Sequence, residues 1–429
     1  DVTDADLERH RTAADLDAPA TIVYTSGTTG EPKGAVLTHR NFLGQVLNIA
    51  AAYGEVVHEK GNTIIFLPLA HVLARGLQLI CLANGMRIAH LSEPSTVVET
   101  LSVLRPTFLV VVPRVLERIQ AAAAQKAEAA HLTRLWRTAV ATAVSGGRAA
   151  EQSTDGRAPA SVRQRLFEAL FFRRLRAVMG GRVDYILSGG ARLDPEVSLF
   201  FRGIGVPVIE GYGLTETTAP LTGNLPGDIR AGTVGRPLPG STVRIGEDGE
   251  ILAKGIGVFR GYRDPAHDAD AFVDGFFRTG DLGRFDADGR LIIEGRSKDV
   301  IVTSTGKTVV PAPWEFAVET DPLVSHAVMV GEGRSYLSAL IVLDPEEVAR
   351  QGDAPVAGQL REIADEGLRA RIQRSVDAAN ALVSRSEQVR RFTLIAADLA
   401  DTTIVTPTLK IKRRVLLERG SDVVAALYR

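Results

Sequence analysis

The chain has 429 residues, of which 45% are hydrophobic and 24% charged, and this predicts two or three domains with buried cores. Its 50 basic and 51 acidic residues give a formal charge of −1, which excludes the basic surplus expected of a nucleic-acid-binding protein. The single cysteine, Cys81, excludes an intrachain disulfide and a multi-cysteine metal site, and it predicts a reducing, cytoplasmic location. No apolar run reaches the roughly 18 residues that a membrane-spanning helix requires.

In the first two-thirds of the chain, continuous apolar runs alternate with helical stretches. Strands are predicted over residues 63–70, 107–113, 183–190 and 206–213. Their apolarity is continuous rather than alternating, which is typical of strands covered on both faces, as in an α/β sheet. Helices are predicted over 114–130 and 161–179, and a mobile surface loop over the Gly-, Ala- and Ser-rich stretch 145–161.

From Gly240 onwards, short strands surround Asp-Gly turns, which predicts antiparallel hairpins. One of these turns, 286–289, has some acidic positions of a calcium loop but lacks the others, so a plain hairpin turn is favoured. Beyond Lys298, further strands, a long helix over about 356–384 and a basic tail predict a second domain.

The predicted fold class is therefore α/β, with two domains. Residues 1–297 form a large N-terminal domain of several subdomains, in which mixed sheets sandwich helices and a β-hairpin-rich subdomain follows. Residues 298–429 form a small α+β C-terminal domain.

The stretch TSGTTGEPKG, at residues 25–34, combines glycines, hydroxyls and a lysine. Glycines let backbone N–H groups approach an anion, hydroxyls donate hydrogen bonds, and the lysine adds positive charge. The spacing is neither that of a Walker A loop nor that of a dinucleotide fingerprint. Alone, the stretch predicts either a phosphate-binding loop or a polar surface turn. The candidate phosphate ligands are Thr25, Ser26, Gly27, Thr28, Thr29, Gly30 and Lys33.

Further motifs follow this loop in a fixed order. They are LPLAHVLARG, LSGGARLDPE, EGYGLTETT, VGRPLPG, GEILAKGIGVFRGY, FRTGDLG, EGRSKDVIVTSTGKTVVP and TPTLKIKR. Together, over residues 20–414, they resemble the adenylate-forming superfamily of acyl- and aryl-CoA synthetases, luciferases and peptide-synthetase adenylation domains. LPLAHVLAR, PRVLERI and TPTLKIKR make the chain most similar to bacterial long-chain fatty acid–CoA ligases.

The resemblance implies ATP, Mg²⁺ and coenzyme A as cofactors or co-substrates, and a medium- or long-chain fatty acid as the acyl substrate. The fatty acid carboxylate attacks the α-phosphate of ATP, which gives an acyl-adenylate and pyrophosphate. The CoA thiol then attacks the acyl carbon and releases AMP. An alternative is a fatty acyl-AMP ligase that loads a carrier protein.

Members of the family carry a longer segment before the phosphate loop, and the present sequence does not begin with Met. We therefore expect the chain to lack part of the usual N-terminal segment. A third alternative follows from this expectation, namely an inactive nucleotide- or lipid-binding remnant.

The resemblance also assigns roles to residues around the nucleotide. Thr215 contacts the α-phosphate and Glu216 binds Mg²⁺, a hard cation that prefers carboxylate and phosphate oxygens. Gly213 stands where small-acid enzymes carry Trp, so it leaves room for an acyl chain. The other nucleotide- and acyl-binding positions are Gly189, Gly190, Ala191, Glu210, Gly211 and Tyr212.

Further roles follow from the later motifs. Asp281 binds the ribose, and Arg296 adds a second ribose or phosphate contact. Lys410 bridges the attacking carboxylate and the α-phosphate, with Lys412 as the alternative register. His71 shapes the acyl pocket or, alternatively, is a hydrogen-bonded core residue.

Two positions imply movement of the C-terminal domain between the two half-reactions. Lys298 is the hinge about which this domain turns. Gly306 lines the path of the pantetheine arm of CoA.

The stretch 163–181 has an apolar stripe flanked by arginines. A core-facing helix with a solvated basic side is favoured, and peripheral contact with the anionic inner face of the membrane is the alternative. The predicted partners are thus a fatty acid, ATP and CoA, with no nucleic acid.

Overall fold

The computed structural model describes residues 2–13, 15–26, 32–93, 96–153, 161–350, 360–399, 401–405 and 411–429. The chain divides into two compact units. The large unit is Asp1–Thr279 with Gly283–Ile293, and the small unit is Gly280–Leu282 with Glu294–Arg429.

The described residues form helices and strands in the following order. The helices are α1 (Asp4–Ala13), α2 (His39–Ala52), α3 (Val72–Ala83), α4 (Val97–Leu104), α5 (Pro113–Ala129), α6 (Thr133–Glu151), α7 (Val162–Phe167), α8 (Arg173–Val178), α9 (Pro195–Gly203), α10 (Ala312–Glu319), α11 (Pro345–Arg350), α12 (Glu366–Asn380), α13 (Arg413–Arg419) and α14 (Ser421–Ala426). The strands are β1 (Pro19–Ser26), β2 (Pro32–Thr38), β3 (Asn62–Ile65), β4 (Arg87–His90), β5 (Phe108–Val111), β6 (Tyr185–Ser188), β7 (Val208–Tyr212), β8 (Thr222–Gly223), β9 (Arg236–Pro237), β10 (Ser241–Ile245), β11 (Glu250–Gly255), β12 (Gly261–Tyr262), β13 (Phe272–Val273), β14 (Phe276–Phe285), β15 (Leu291–Arg296), β16 (Ile301–Val302), β17 (Thr308–Val309), β18 (Val324–Val330), β19 (Leu337–Leu343), β20 (Leu360–Glu362) and β21 (Val389–Ala397).

The large unit contains a mixed sheet of order β5-β6-β7-β8-β9, in which β5, β6 and β7 run parallel. Alternate residues of β5 enter different cores. Leu109 and Val111 pack with residues of α6 and α9, whereas Phe108 and Val110 pack with residues of α2 and α3. Both faces are buried, which explains the continuous apolarity of these strands and confirms the predicted α/β class.

The four predicted strands are all present, although each is shorter than its apolar run. They correspond to β3, β5, β6 and β7. The first predicted helix corresponds to α5, and the second to α7 and α8, joined by a π-helical turn over Glu168–Phe172.

The loop predicted over 145–161 is wrong in its first part, because α6 continues to Glu151. Residues 154–160 lie outside the described ranges. The small residues that suggested a loop instead let α6 approach α9. A Cβ on Gly147 would lie 2.1 Å from the carbonyl oxygen of Leu199, and one on Gly203 would lie 1.8 Å from that of Ala143.

The predicted hairpins are present beyond Gly240. β10 pairs antiparallel with β11, and a turn at Asp286–Gly289 joins β14 to β15. The acidic side chains of that turn bind Arg290, whose Nη1 lies 2.6 Å from Asp288 and 3.5 Å from Asp286. The hairpin interpretation is therefore correct, because the guanidinium takes the place that a cation would need.

The small unit is built on a sheet of order β18-β19-β21-β20. One face packs against α10 and α12 around Trp314, and the other packs against α13 and α14 around Leu416. The long helix predicted over 356–384 is wrong at its start. Residues 360–362 form β20, which pairs with β21, and α12 begins only after its N-cap, Asp365.

The close contact of α6 and α9 gives a test of packing in the large unit. We expect Gly147→Ala to lower the free energy of unfolding by about 1–3 kcal/mol, because the added methyl must displace backbone. Urea unfolding measures this change. The matched control is Gly76→Ala in α3, where the new Cβ would lie 3.8 Å from its nearest neighbour and helix propensity favours alanine. Equal stabilities for the two variants would contradict the packing argument.

Candidate active site

The two ends of the predicted phosphate loop are fixed by a hairpin in the large unit. β1 pairs antiparallel with β2, so that Thr25 lies opposite Lys33. The hydroxyl of Thr25 lies 3.4 Å from the carbonyl oxygen of Lys33. The other predicted ligands in this loop, Gly27, Thr28, Thr29 and Gly30, lie outside the described residues, and their roles stay predictions.

Glu216 lies beside this hairpin, on a 3-10 turn that follows β7. Its side chain is buried, and Oε1 accepts a hydrogen bond from the hydroxyl of Tyr262 at 2.9 Å. The hydroxyl of Thr25 lies 3.5 Å from the same oxygen. Glu216 is therefore not an exposed charge on a loop. Two hydroxyls from separate strands hold a carboxylate at the end of the phosphate hairpin.

The backbone around Glu216 is held from several sides. The amide of Phe259 donates to the carbonyl oxygen of Glu216 at 2.8 Å. Thr217 accepts from the amide of Leu214 at 2.9 Å, and the hydroxyl of Thr218 donates to the carbonyl oxygen of Gly257 at 2.7 Å. These bonds fix the direction of the carboxylate. They also position the neighbouring Thr215, the predicted α-phosphate contact.

Tyr262 is a site residue that the sequence reasoning missed. It lies on β12, which pairs with β2, and the Lys33 ammonium lies 5.2 Å from the centroid of its ring. Burial and the neighbouring carboxylate of Glu216 raise the pKa of Tyr262, so its hydroxyl stays protonated and donates. The sequence feature that could have identified Tyr262 is its position at the end of the GEILAKGIGVFRGY motif.

Gly213 packs closely against backbone, and its predicted place beside an acyl chain stays a prediction. A Cβ at this position would lie 2.9 Å from the amide nitrogen of Leu221 and 3.0 Å from the Cα atoms of Ala219 and Pro220. A side chain would therefore displace backbone. The same packing holds Tyr212, whose carbonyl oxygen accepts from the amide of Leu221 at 2.7 Å.

The nucleotide- and acyl-binding positions that were predicted at the ends of β6 and β7 differ in their surroundings. Gly190 has φ +83°, and no atom lies within 4 Å of the place where its Cβ would be, so open space borders it. Ala191 is exposed, whereas Gly189 is buried. A Cβ on Gly211 would lie 3.2 Å from the carbonyl oxygen of Thr222. Their roles in binding stay predictions.

Glu210 lies inside the sheet, opposite Ser188 on the neighbouring strand. It is buried, and its Oε1 has no hydrogen-bond partner among the residues that the structure describes. Burial raises the pKa of Glu210 to about 8, so this carboxyl is protonated at neutral pH. A neutral, buried acid suits a supporting position better than direct contact with a charged nucleotide.

His71 is exposed and caps α3, where its Nδ1 accepts from the amide of Leu73 at 3.3 Å. The alternative of a core histidine is therefore wrong. Its contact with an acyl chain stays a prediction.

Within the small unit, the two predicted ribose ligands lie together. The Nε of Arg296 lies 3.1 Å from the carboxylate of Asp281, which is buried. Lys298 is exposed on a 3-10 turn that directly follows. Gly306 has φ +78° in the turn between β16 and β17, a conformation that favours glycine. Lys410 lies outside the described residues.

The side chains around Glu216 fit a magnesium ion. Among the described residues, no group of three or more His, Cys, Asp and Glu side chains could hold a metal. Mg²⁺ does not need such a cage, since it usually binds one or two carboxylates together with substrate phosphates and water. A single buried carboxylate beside a phosphate hairpin meets this need.

Comparison with known proteins assigns the family. The family model described as AMP-binding enzyme matches residues 2–263. The chain belongs to this family. A second model, AMP-binding enzyme C-terminal domain, matches residues 298–429. The chain is 39% identical over 433 residues to the long-chain-fatty-acid–CoA ligase FadD15 of Mycobacterium bovis, an alignment that covers 100% of the chain and 72% of that protein.

Solved structures share the fold. The adenylation domain of a carboxylate reductase from Mycobacterium chelonae has a TM-score of 0.70 at 24% identity, over 96% of this chain and 60% of that one. An O-succinylbenzoate–CoA synthetase of Bacillus subtilis, in complex with ATP and a magnesium ion, has a TM-score of 0.61 at 23% identity, over 89% and 67%. These two similarities concern the fold alone.

The hydrogen bond from Tyr262 to Glu216 gives the test of this site. We expect Tyr262→Phe to raise the Mg²⁺ concentration for half-maximal ATP-dependent pyrophosphate release by about tenfold, since a hydrogen bond to a charged group contributes about 1.5–3 kcal/mol.

The matched control for this test is Tyr24→Phe. The hydroxyl of Tyr24 accepts from Arg263 at 2.7 Å, on the strand that carries Thr25. If Tyr262→Phe and Tyr24→Phe behave alike in Mg²⁺ dependence, Tyr262 does not position the carboxylate.

Proposed function

We propose that this protein ligates a medium- or long-chain fatty acid to coenzyme A through an acyl-adenylate, with release of AMP and pyrophosphate. The observation that carries the proposal is the buried carboxylate of Glu216, held by Tyr262 beside the hairpin of the phosphate loop. Membership of the AMP-binding enzyme family and the similarity to a relative named as a long-chain-fatty-acid–CoA ligase support it.

In the first half-reaction, negative charge develops on the α-phosphate while pyrophosphate leaves. Glu216 would hold Mg²⁺, which supplies positive charge to the phosphate oxygens when bound. Thr25 and Lys33, at the two ends of the loop, would contact the leaving phosphates, and Thr215 would donate to the α-phosphate. Lys410 would bridge the fatty acid carboxylate and the same phosphate. These groups act by placing charge and hydrogen-bond donors where charge develops.

The small unit would hold the sugar and the second substrate. Asp281 would accept from both ribose hydroxyls, and its ion pair with Arg296 orients the carboxylate. We place the functional domain boundary after residue 297, with Lys298 as the hinge of a mobile C-terminal domain. Gly306 would then line the path of the pantetheine arm during thioester formation.

A product assay separates this function from its alternatives. The chain is incubated with Mg·ATP and fatty acids of two to twenty carbons, with and without CoA, and adenylates and thioesters are detected by mass spectrometry. Long-chain acyl-CoA is the expected product. Adenylate without thioester would favour loading of a carrier protein, and neither product would identify an inactive remnant.

The same assay tests the catalytic lysine. We expect Lys410→Ala to lower adenylate formation by about 10²–10³-fold, the usual cost of losing one group that stabilises developing charge. The matched control is Lys412→Ala, because the Nζ of Lys412 donates to the carbonyl oxygen of Thr402 at 2.9 Å and so has a local structural role. A larger loss in Lys412→Ala would shift the catalytic assignment by two residues.

A membrane contact of the large unit is also proposed. Along α7 and the following π-helical turn, Phe167 and Phe172 are buried, whereas Val162, Leu166 and Leu170 are 84%, 54% and 37% exposed. The exposed arginines of this stretch are Arg163, Arg165, Arg173 and Arg174. The inner face confirms a core-facing helix. The outer face has the apolar and basic side chains with which a helix binds an anionic bilayer surface.

No helix among the described residues has the length and apolarity to cross a bilayer, so the proposed contact is peripheral. We expect the double variant Leu166→Ser, Leu170→Ser to bind phosphatidylglycerol vesicles about tenfold or more weakly in co-sedimentation, because each buried methylene contributes about 0.8 kcal/mol. Leu382→Ser is the control, since Leu382 is 75% exposed in the small unit. Unchanged binding of the double variant would refute the contact.

A further inference from the structure

Two amide side chains on α2 lie in the interior of the large unit, and the proposed chemistry does not use them. Asn41 and Gln45 are both buried. They are four residues apart, so they lie on the same face of the helix. Burying an amide is unfavourable unless its donors and acceptors are satisfied, and the partners of these two amides therefore indicate their role.

Asn41 uses its whole hydrogen-bonding capacity. Its Oδ1 accepts from the backbone amide of Thr38 at 2.8 Å and from the hydroxyl of Thr38 at 2.9 Å. Its Nδ2 donates to the carbonyl oxygens of Ile256 at 2.8 Å and Val258 at 2.9 Å. A primary amide has two donors and two acceptor lone pairs, so each of them is occupied. Asn41 thus links two parts of the chain that are far apart in sequence.

The acceptor side of Asn41 is joined to the hairpin of the phosphate loop. Thr38 is both the last residue of β2 and the N-cap of α2, and Lys33 lies on the same strand. Strand and helix therefore follow one another without an intervening loop. Regular backbone sets the position of Asn41 relative to Lys33.

The donor side of Asn41 is joined to residues 256–262, which hold Glu216 at two points. The backbone amide of Phe259 donates to the carbonyl oxygen of Glu216 at 2.8 Å. The hydroxyl of Tyr262 donates to the carboxylate of the same residue at 2.9 Å. A shift of residues 256–262 would therefore move both the backbone and the side chain of Glu216.

Gly257 brings this stretch, the turn of Glu216 and α2 into direct contact. A Cβ on Gly257 would lie 2.6 Å from the carbonyl oxygen of Thr217 and 3.0 Å from Oε1 of Gln45. The hydroxyl of Thr218 donates to the carbonyl oxygen of Gly257 at 2.7 Å. Where the turn ends, Nε2 of Gln45 donates to the carbonyl oxygen of Pro220. Helix α2 thus holds the turn directly through Gln45 and indirectly through residues 256–262.

We propose that Asn41 is a positioning residue for adenylate formation, which fixes the turn of Glu216 relative to the hairpin that carries Lys33. The inference rests on the proposed function, in which Glu216 holds Mg²⁺ against the phosphates of ATP. A carboxylate and a phosphate can share Mg²⁺ only at a fixed separation, because this ion demands near-ideal octahedral geometry. Gln45 supports the same arrangement by holding the end of the turn.

Binding of α,β-methylene-ATP, which cannot be cleaved between its α- and β-phosphates, tests the inference without turnover. Calorimetry on the full chain gives its affinity with Mg²⁺ and with EDTA, and the ratio of these affinities measures how well carboxylate and phosphates share the ion. We expect Asn41→Asp to lower this ratio about fivefold or more, because it removes both donors to residues 256–262 and keeps the acceptor for Thr38. A merely less stable variant would have fewer binding-competent molecules and an unchanged ratio.

Gln45→Met is an uncharged second variant and should also lower the ratio. Methionine has a similar volume and loses the donation to Pro220, whereas Oε1 of Gln45 has no hydrogen-bond partner among the described residues. The matched control is Asn62→Asp. Nδ2 of Asn62 donates to the carbonyl oxygen of Leu104 at 2.8 Å, and its Oδ1 accepts from the amide of Thr107 at 3.2 Å. These bonds join β3 to the region between α4 and β5, so the ratio should equal that of the unchanged protein.

Several outcomes overturn the inference. One is an unchanged ratio in both Asn41→Asp and Gln45→Met, and another is an equal fall in Asn62→Asp, which would make any added charge sufficient. A ratio of one in the unchanged protein would refute both the inference and the binding of Mg²⁺ by Glu216. If the unchanged protein binds the analogue with Mg²⁺ but forms no adenylate from ATP and fatty acids, the proposed function fails. The ratios then still decide whether Asn41 positions the turn.

Discussion

The pairing of β2 with both β1 and β12 is the constraint on which the candidate site depends. β2 lies between the two strands, so one strand places Thr25 and the other places Tyr262 beside the same carboxylate oxygen of Glu216. A buried carboxylate needs hydrogen-bond donors for its oxygens. Because those donors come from paired strands, the charged group and the phosphate hairpin form one rigid assembly.

The predicted magnesium ligand in the large unit and the predicted ribose ligand in the small unit rest on different kinds of support. Glu216 follows β7, and the sheet that contains β7 is buried between two helical cores. This packing determines the position of Glu216. Asp281 instead depends on an ion pair with Arg296, whose side chain is 53% exposed. Glu216 is thus held by a dense interior within the large unit, and Asp281 by local electrostatics near solvent within the small unit.

The sequence predicts those features that local composition determines. Continuous apolar runs that end in Gly or Pro located β3, β5, β6 and β7, because a strand buried on both faces tolerates few polar residues. Long-range contacts explain the failures. The Gly- and Ala-rich end of α6 is helical because α9 packs against it, residues 360–362 are extended because β21 pairs with them, and the role of Tyr262 depends on a partner 46 positions away. The close approach of backbone to Gly213 is likewise visible only in three dimensions.

The buried carboxyl of Glu210 couples the folding of the large unit to proton concentration. Its pKa is about 8 in the folded chain, against an ordinary value of 4.5, so unfolding between these pH values releases a proton to water. The free energy of unfolding that this group contributes therefore falls as pH rises through that interval and is level above it. Through this one residue, raising the pH from about 4.5 to about 8 lowers the stability of the sheet whose strands end at the candidate site.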